Sequence, residues 1–316
     1  MHLRGACFAG TAAVMFGLGI VLARILGTQI DAPIVAFASL TGGGLLLAGY
    51  LRLSGTALLR PLAHLARHDW LDLILLASLG TALPLLVIVS GFARTGAIEG
   101  SFVFQLNGVA SLVFAVLLLG ERVRARQSSG ILLLLVGSAL VILAAPPAAA
   151  HANSGLGDLL ILLGAIGVGF GLIPAKRLSV RIDPLLLTAW RLLLGAALLF
   201  PILLIQFLVV GHSFLWHPAL STLVLVLPAY AVTNFCIAYL SQQTGLRLLK
   251  AWEMAAILQT VPLFATLLAV LLLHDRLTLP QAGGGLVAVL GGLVIALNGD
   301  PSTPQRTRLP EQVRAP

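Results

Sequence analysis

A single offset organises this sequence. The stretch running from Ala97 through Glu99 and Gln105 continues apolar to Leu119-Gly120-Glu121-Arg122, then reaches Gln127, Gly130 and Gly137. Adding 154 places Glu99 on Glu253, Gln105 on Gln259, Glu121 on Asp275 and Arg122 on Arg276. The same shift of 154 takes Gln127 to Gln281, Gly130 to Gly284, Gly137 to Gly291 and Phe16-Gly17-Leu18 to Phe170-Gly171-Leu172. One gapless offset through all of them marks an internal repeat. Two copies of a long apolar unit are the pattern of a repeat-built membrane transporter.

The composition agrees. Hydrophobic residues make up 59% of the 316 and charged residues only 9%, against about 25% charged in a soluble domain. The apolar runs are continuous and about 18–22 residues long, enough to cross ~30 Å of hydrocarbon as helix. A β-barrel would alternate polar and apolar positions instead. The expected fold is therefore an all-α polytopic membrane protein. Ten transmembrane helices are predicted, at about 6–24, 33–52, 70–92, 97–119, 128–145, 156–175, 184–209, 219–241, 251–273 and 279–298. The first run is too long for a signal-peptide core and lacks a cleavage site, so it reads as a span. Residues 1–146 and 156–298 form the two five-helix units, 147–155 a linker, and the polar 299–316 a disordered cytoplasmic tail.

The net charge of +8 suggests nucleic acid only until the positions are inspected. No basic stripe with interleaved aromatics exists, so no nucleic-acid partner is expected. Basic residues instead gather in alternate loops, from Arg52, Arg60 and Arg67 to Lys176, Arg177 and Arg181; the opposite set holds only Arg24, Arg94 and Arg276. That bias puts both termini in the cytoplasm, with the protein multi-pass in a cell (inner) membrane. Five spans per unit then give the two units inverted topology, related by a pseudo-two-fold axis in the membrane plane. Cys7 and Cys236 both lie in apolar runs, and nothing has metal-ligand spacing, so neither a disulfide nor a metal site is expected. Without a glycine-rich phosphate loop, no nucleotide or other cofactor is expected either.

Few polar residues lie within the spans, and these are the candidates for a substrate path. Arg191, about 10 Å into its helix from Pro184, must pair, face a wet cavity or snorkel, because a charge at that depth costs about 2.5–3.5 kcal/mol. An inward-facing Arg191 would pair with Glu253 or with a substrate carboxylate. Glu99 and Glu253 open their helices at repeat-equivalent places, as helix-end stabilisers or as mouths of a path able to attract cations or carry a proton. Gln105, Gln259, Asn107 and Asn234 are interhelical hydrogen-bonding groups or substrate contacts. Trp190 is a cavity wall or a packed aromatic. Glu121-Arg122 and Asp275-Arg276 read as helix-end ion pairs on opposite membrane faces.

These motifs, in this order, resemble the drug/metabolite transporter superfamily, specifically EamA-type transporters with two five-helix repeats. Leu119-Gly120-Glu121-Arg122-Val123, Leu273-His274-Asp275-Arg276-Leu277, the Gln127/Gly130 and Gln281/Gly284 pairs, Pro184 with Trp190-Arg191, and Gln259-Thr260-Val261-Pro262 carry the resemblance. Asp275 stands where that family usually has Glu, Asn107-Gly108 where it often has proline, and Thr41 at the expected equivalent of Arg191. The resemblance implies a substrate cavity formed by the eight helices other than spans 5 and 10. It also implies a secondary transporter exporting a small metabolite such as an amino acid, drugs being the other class. A zwitterion would suit Arg191 beside acidic groups. No HExxH motif or Ser/His/Asp grouping supports a membrane-embedded enzyme. A passive channel or lipid flippase is the alternative function. Proton coupling and a homodimer stay open.

Overall fold

The computed structural model describes residues 2–55, 65–119, 125–144, 154–179, 181–210, 218–249, 254 and 257–297. Glu121, Arg122, Glu253, the linker and the tail therefore lie outside the described residues. The remainder is helical. In chain order the helices are α1 (His2–Gly27), α2 (Ala32–Leu53), α3 (Arg67–Ala77), α4 (Leu83–Phe92), α5 (Ala97–Phe104), α6 (Asn107–Leu119), α7 (Ala125–Leu143), α8 (Ser154–Ser179) and α9 (Pro184–Val210). After these come α10 (Leu227–Tyr230), α11 (Tyr239–Leu248), α12 (Val261–Leu268) and α13 (Leu279–Leu297).

Seven described segments are long and apolar enough to cross a membrane, with Arg67–Phe92, Ala97–Leu118 and Thr222–Gly245 each running through more than one helix. Three shorter apolar helices, Ser128–Leu143, Val261–Leu273 and Leu279–Val294, stand where the other expected spans fall. Exposed side chains are to a large extent apolar, among them Leu45, Leu132, Ile205, Phe207, Leu225 and Leu286. An outward face of this kind suits lipid rather than water.

Local chemistry sets the helix starts. Proline occupies the first turn of α2 and α12, where its missing N–H costs nothing, whereas Pro84 and Pro228 directly follow π turns inside continuous helical spans. Asp183 Oδ1 accepts from Leu185 N at 2.9 Å to open α9. Thr278 and Gln281 form a reciprocal cap before α13. Gln281 N donates to Thr278 Oγ1 at 3.3 Å, and Thr278 N donates to Gln281 Oε1 at 3.0 Å. That is the capping-box pattern with glutamine at its third position.

Two of the long helices contain π-helical turns, in which the hydrogen bonds reach back five residues. One is Ser78–Ala82 between α3 and α4; the other is Ala231–Ala238 between α10 and α11. The repeat offset carries the first into the second. Two further π turns are Thr222–Val226, just before α10, and Ala269–Leu273, which ends at His274, whose φ of 56° turns the chain out of the helix.

The packing repeats as well. Helix α7 lies along α13, α2 along α9 and α4 along α8, while α1 meets α11 and α12. A Cβ on Gly137 would strike Ala288 and Gly284, and one on Gly291 would strike Leu134 and Gly130. The offset exchanges these two glycine contacts, 137 with 284 and 291 with 130. Close approach of this kind is how helices associate in lipid, where no hydrophobic drive joins them. At one end of the bundle Arg181 donates to Asp69 at 2.8 Å and Arg177 to Asp72 at 3.3 Å, joining the region after α8 and the end of α8 to the start of α3. Such exposed pairs contribute about 0–1 kcal/mol each and serve mainly to hold position.

Candidate functional site: a cavity around Arg191

Arg191 is 5% exposed, so its side chain does not reach the bilayer surface. Its charge is accommodated by the π turn opposite. Nε donates to Thr81 Oγ1 at 2.5 Å and Nη2 to Gly80 O at 3.1 Å. Thr81 in turn donates to Leu76 O at 2.7 Å, five residues back. The π turn thus presents a main-chain carbonyl and a hydroxyl oxygen to the guanidinium. Gly80 brings this segment against Gly171 of α8, and a Cβ on either glycine would collide with the other's Cα. Below the guanidinium lies the Tyr239 ring, with Cζ 4.1 Å from its centroid, close enough for a cation–π contact. Among the described residues no carboxylate pairs with Arg191.

Arg191 borders a cavity of about 110 Å³. Its polar wall includes Gln105, Asn107, Gln242, Gln243 and Gln259, and its apolar wall includes Phe16, Leu172, Leu258 and Val261. Of the residues expected on a substrate path, the cavity therefore gathers Arg191, Gln105, Gln259 and Asn107. Asn107 Nδ2 also donates to Phe104 O at 2.7 Å. Trp190, 3% exposed, lies in the core outside the cavity wall. Asn234 sits within the second π turn against Gly19 of α1, and it too is absent from the wall. Gln243, Tyr239 and Thr81 were not anticipated. The adjacent amides Gln242-Gln243 in an apolar span were a usable signal, whereas Thr81 gave none.

The repeat-equivalent glutamines bond to each other. Gln105 Nε2 donates to Gln259 O at 3.1 Å and to Gln259 Oε1 at 2.6 Å. Each glutamine marks a break in its helix, and the two breaks have the same bonding. Leu106 N donates to Val103 O at 3.1 Å and Thr260 N to Ile257 O at 3.0 Å, again 154 apart. A residue that meets its own repeat mate lies on the axis relating the repeats.

Glu99 is buried at the start of α5, where Gln281 Nε2 donates to its Oε1 at 2.9 Å. The Thr278 N–H fixes which end of the Gln281 amide faces the carboxylate. Arg24 lies within electrostatic reach of both Glu99 and Asp275, and its Nη1 donates to Phe92 O at 2.7 Å. Arg276, beside Asp275, is exposed. Glu99 is not part of the cavity wall. No group of three or more potential metal ligands occurs among the described residues.

Fold and cavity together define a multi-pass helical membrane protein with a cavity between its helices, lined by amides, a guanidinium and apolar side chains. Residues 3–143 and 155–297 match the EamA-like transporter family, and the chain belongs to it. It is accordingly a transporter of the drug/metabolite type rather than an enzyme. An uncharacterized transporter of Methanothermobacter thermautotrophicus is 21% identical over 239 residues, covering 75% of this chain and 67% of its own. A WAT1-related chloroplastic protein of Arabidopsis thaliana is 24% identical over 262 residues, covering 81% of this chain and 60% of its own. One solved crystal structure shares the fold, with TM-score 0.68 at 19% identity over 94% of this chain and 98% of that one.

Proposed function

We propose that the chain is a secondary transporter that exports a small metabolite with an anionic group, such as an amino acid, by alternating access. In this reading ten spans form two inverted five-helix repeats, residues 1–146 and 156–298, in the inner membrane with both termini cytoplasmic. The observation that carries it is the cavity itself: a buried cation with only neutral described partners, walled in part by two helix breaks joined through Gln105 and Gln259. A guanidinium held this way is arranged to receive a carboxylate in bidentate fashion. The cavity volume of about 110 Å³ lies well below the ~300–1,000 Å³ of drug-sized sites. That favours a metabolite of few atoms over a drug or a lipid.

Counterflow in proteoliposomes tests the reading. Saturable exchange of a labelled apolar amino acid is expected, with Arg191→Gln abolishing it. Arg191→Lys should recover only part, since a point charge replaces a planar fork. Flux that neither saturates nor exchanges would make the protein a channel, and headgroup movement in a lipid-flipping assay would make it a flippase. Unchanged exchange in both Arg191 variants would remove the role assigned to that residue.

A further inference from the structure

Two residues that line the cavity each hold a buried acceptor with nothing to accept. Gln105, 5% exposed, leaves Oε1 without a partner among the described residues, and so does Gln243, 2% exposed. Both line the cavity that Arg191 borders. The Gln105 amide cannot be reversed, because its Nε2 donates to the main-chain oxygen of Gln259, which can only accept. Its carbonyl end must therefore stay free. Gln243 lies one helical turn beyond Tyr239, the ring under Arg191, and so shares that face of α11. A buried acceptor without a donor is unfavourable unless something arrives to satisfy it.

We propose that Gln105 and Gln243 form a second subsite, distinct from Arg191, that reads a hydrogen-bond donor on the transported molecule. This rests on the reading above that Arg191 takes the anionic group. The cavity then recognises two chemical features at once, a carboxylate at the guanidinium and an N–H or O–H donor at the two amide oxygens. The apolar wall of Phe16, Leu172, Leu258 and Val261 accepts the remainder. Gln243 is the specificity-determining residue of the pair, since Gln105 is also committed to Gln259. A carboxylate lacking the donor would enter but leave both acceptors unsatisfied, and a site of this kind discriminates strongly against such analogues.

The test is binding to the full chain in detergent by isothermal titration. The probes are leucine, 4-methylpentanoate, which lacks only the ammonium group, and isoamylamine, which lacks only the carboxylate. The wild-type protein is expected to prefer leucine over 4-methylpentanoate by roughly 10- to 100-fold, the worth of one or two lost hydrogen bonds to a charged donor. Gln243→Leu should collapse that preference toward unity while leucine still outcompetes isoamylamine. Gln243→Glu, which keeps an acceptor, should preserve the preference and provides a second variant if the leucine substitution fails to fold. Equal wild-type affinity for leucine and 4-methylpentanoate would overturn the subsite while leaving the carboxylate reading intact. So would an unchanged preference in Gln243→Leu. If Arg191→Gln leaves the leucine–isoamylamine ratio untouched, the carboxylate reading fails instead, and a surviving dependence on Gln243 would still support the donor subsite.

Discussion

Arg191 shows how a single residue obtains a place inside a membrane. Its guanidinium is met by a hydroxyl, a main-chain carbonyl and an aromatic face, all neutral. Neutral partners leave the positive charge available to a ligand, whereas a salt bridge would cancel it. Thr81 is the partner most open to test. Thr81→Val removes the acceptor but keeps the shape, and should destabilise the protein by about 1–3 kcal/mol in thermal or denaturant unfolding. Thr81→Ser should restore most of that. Equal melting of the valine variant and wild type would show that Arg191 does not depend on this bond. Arg191 itself was legible in the sequence because a lone arginine inside an apolar run has few physical options. Thr81 was not. Threonine is common in apolar helices, and nothing in one sequence announces a π turn, so the oxygens presented there have no linear signature.

At the scale of elements, the breaks in the helices matter more than their lengths. The runs near 97–119 and 251–273 read as unbroken spans, yet α5 passes to α6 through a tightened turn at Gln105, and its repeat mate does the same at Gln259. Hydropathy cannot reveal such a break, because apolar residues continue on both sides of it. The bond between the glutamines is unequal. In this structure Gln105 is the donor, to both the carbonyl and the side chain of Gln259. In the reading proposed above, inverted repeats would exchange their conformations between the two facings of the carrier, and the donor role would pass to Gln259 in the opposite facing. Gln105→Leu would then disfavour this facing and Gln259→Leu the other. In a background lacking Cys7 and Cys236, a cysteine placed at Leu172 should change its reactivity toward an aqueous maleimide in opposite directions in the two variants. Shifts in the same direction would contradict the exchange. The same π-turn geometry explains why the sequence does not place Asn234, which lies within such a turn. A π turn rotates the helix after it, so the face that a residue presents cannot be counted from a 3.6-residue period.

For the molecule as a whole, the repeat offset carried most of what the sequence could say. It paired Gln105 with Gln259 and Gly137 with Gly291 and marked Glu99 and Gln281, although it did not say that the helices break at the paired glutamines, nor that Glu99 and Gln281 would meet. Their bond joins α5 of the first half to α13 of the second. In the transport reading proposed above, a buried carboxylate linking the halves would be placed to couple proton uptake to their movement. Glu99→Gln keeps the size and hydrogen-bonding capacity and removes the charge. It is expected to uncouple export from a pH gradient in proteoliposomes, alone or together with Glu253→Gln. A full gradient response in both single variants and the double would dismiss coupling through these acids.

The cradle made by Gly80 and Thr81 has one more consequence. The first half has no arginine matching Arg191, and Thr41 stands in its stead with its hydroxyl buried and unpartnered among the described residues. Two halves that trade shapes but not charges cannot give mirror-image states of equal energy. Under the alternating-access reading proposed above, the empty carrier would rest unevenly between its two facings. The sign of that imbalance, to which this unmatched residue contributes, would then decide on which side of the membrane the vacant site awaits its next passenger.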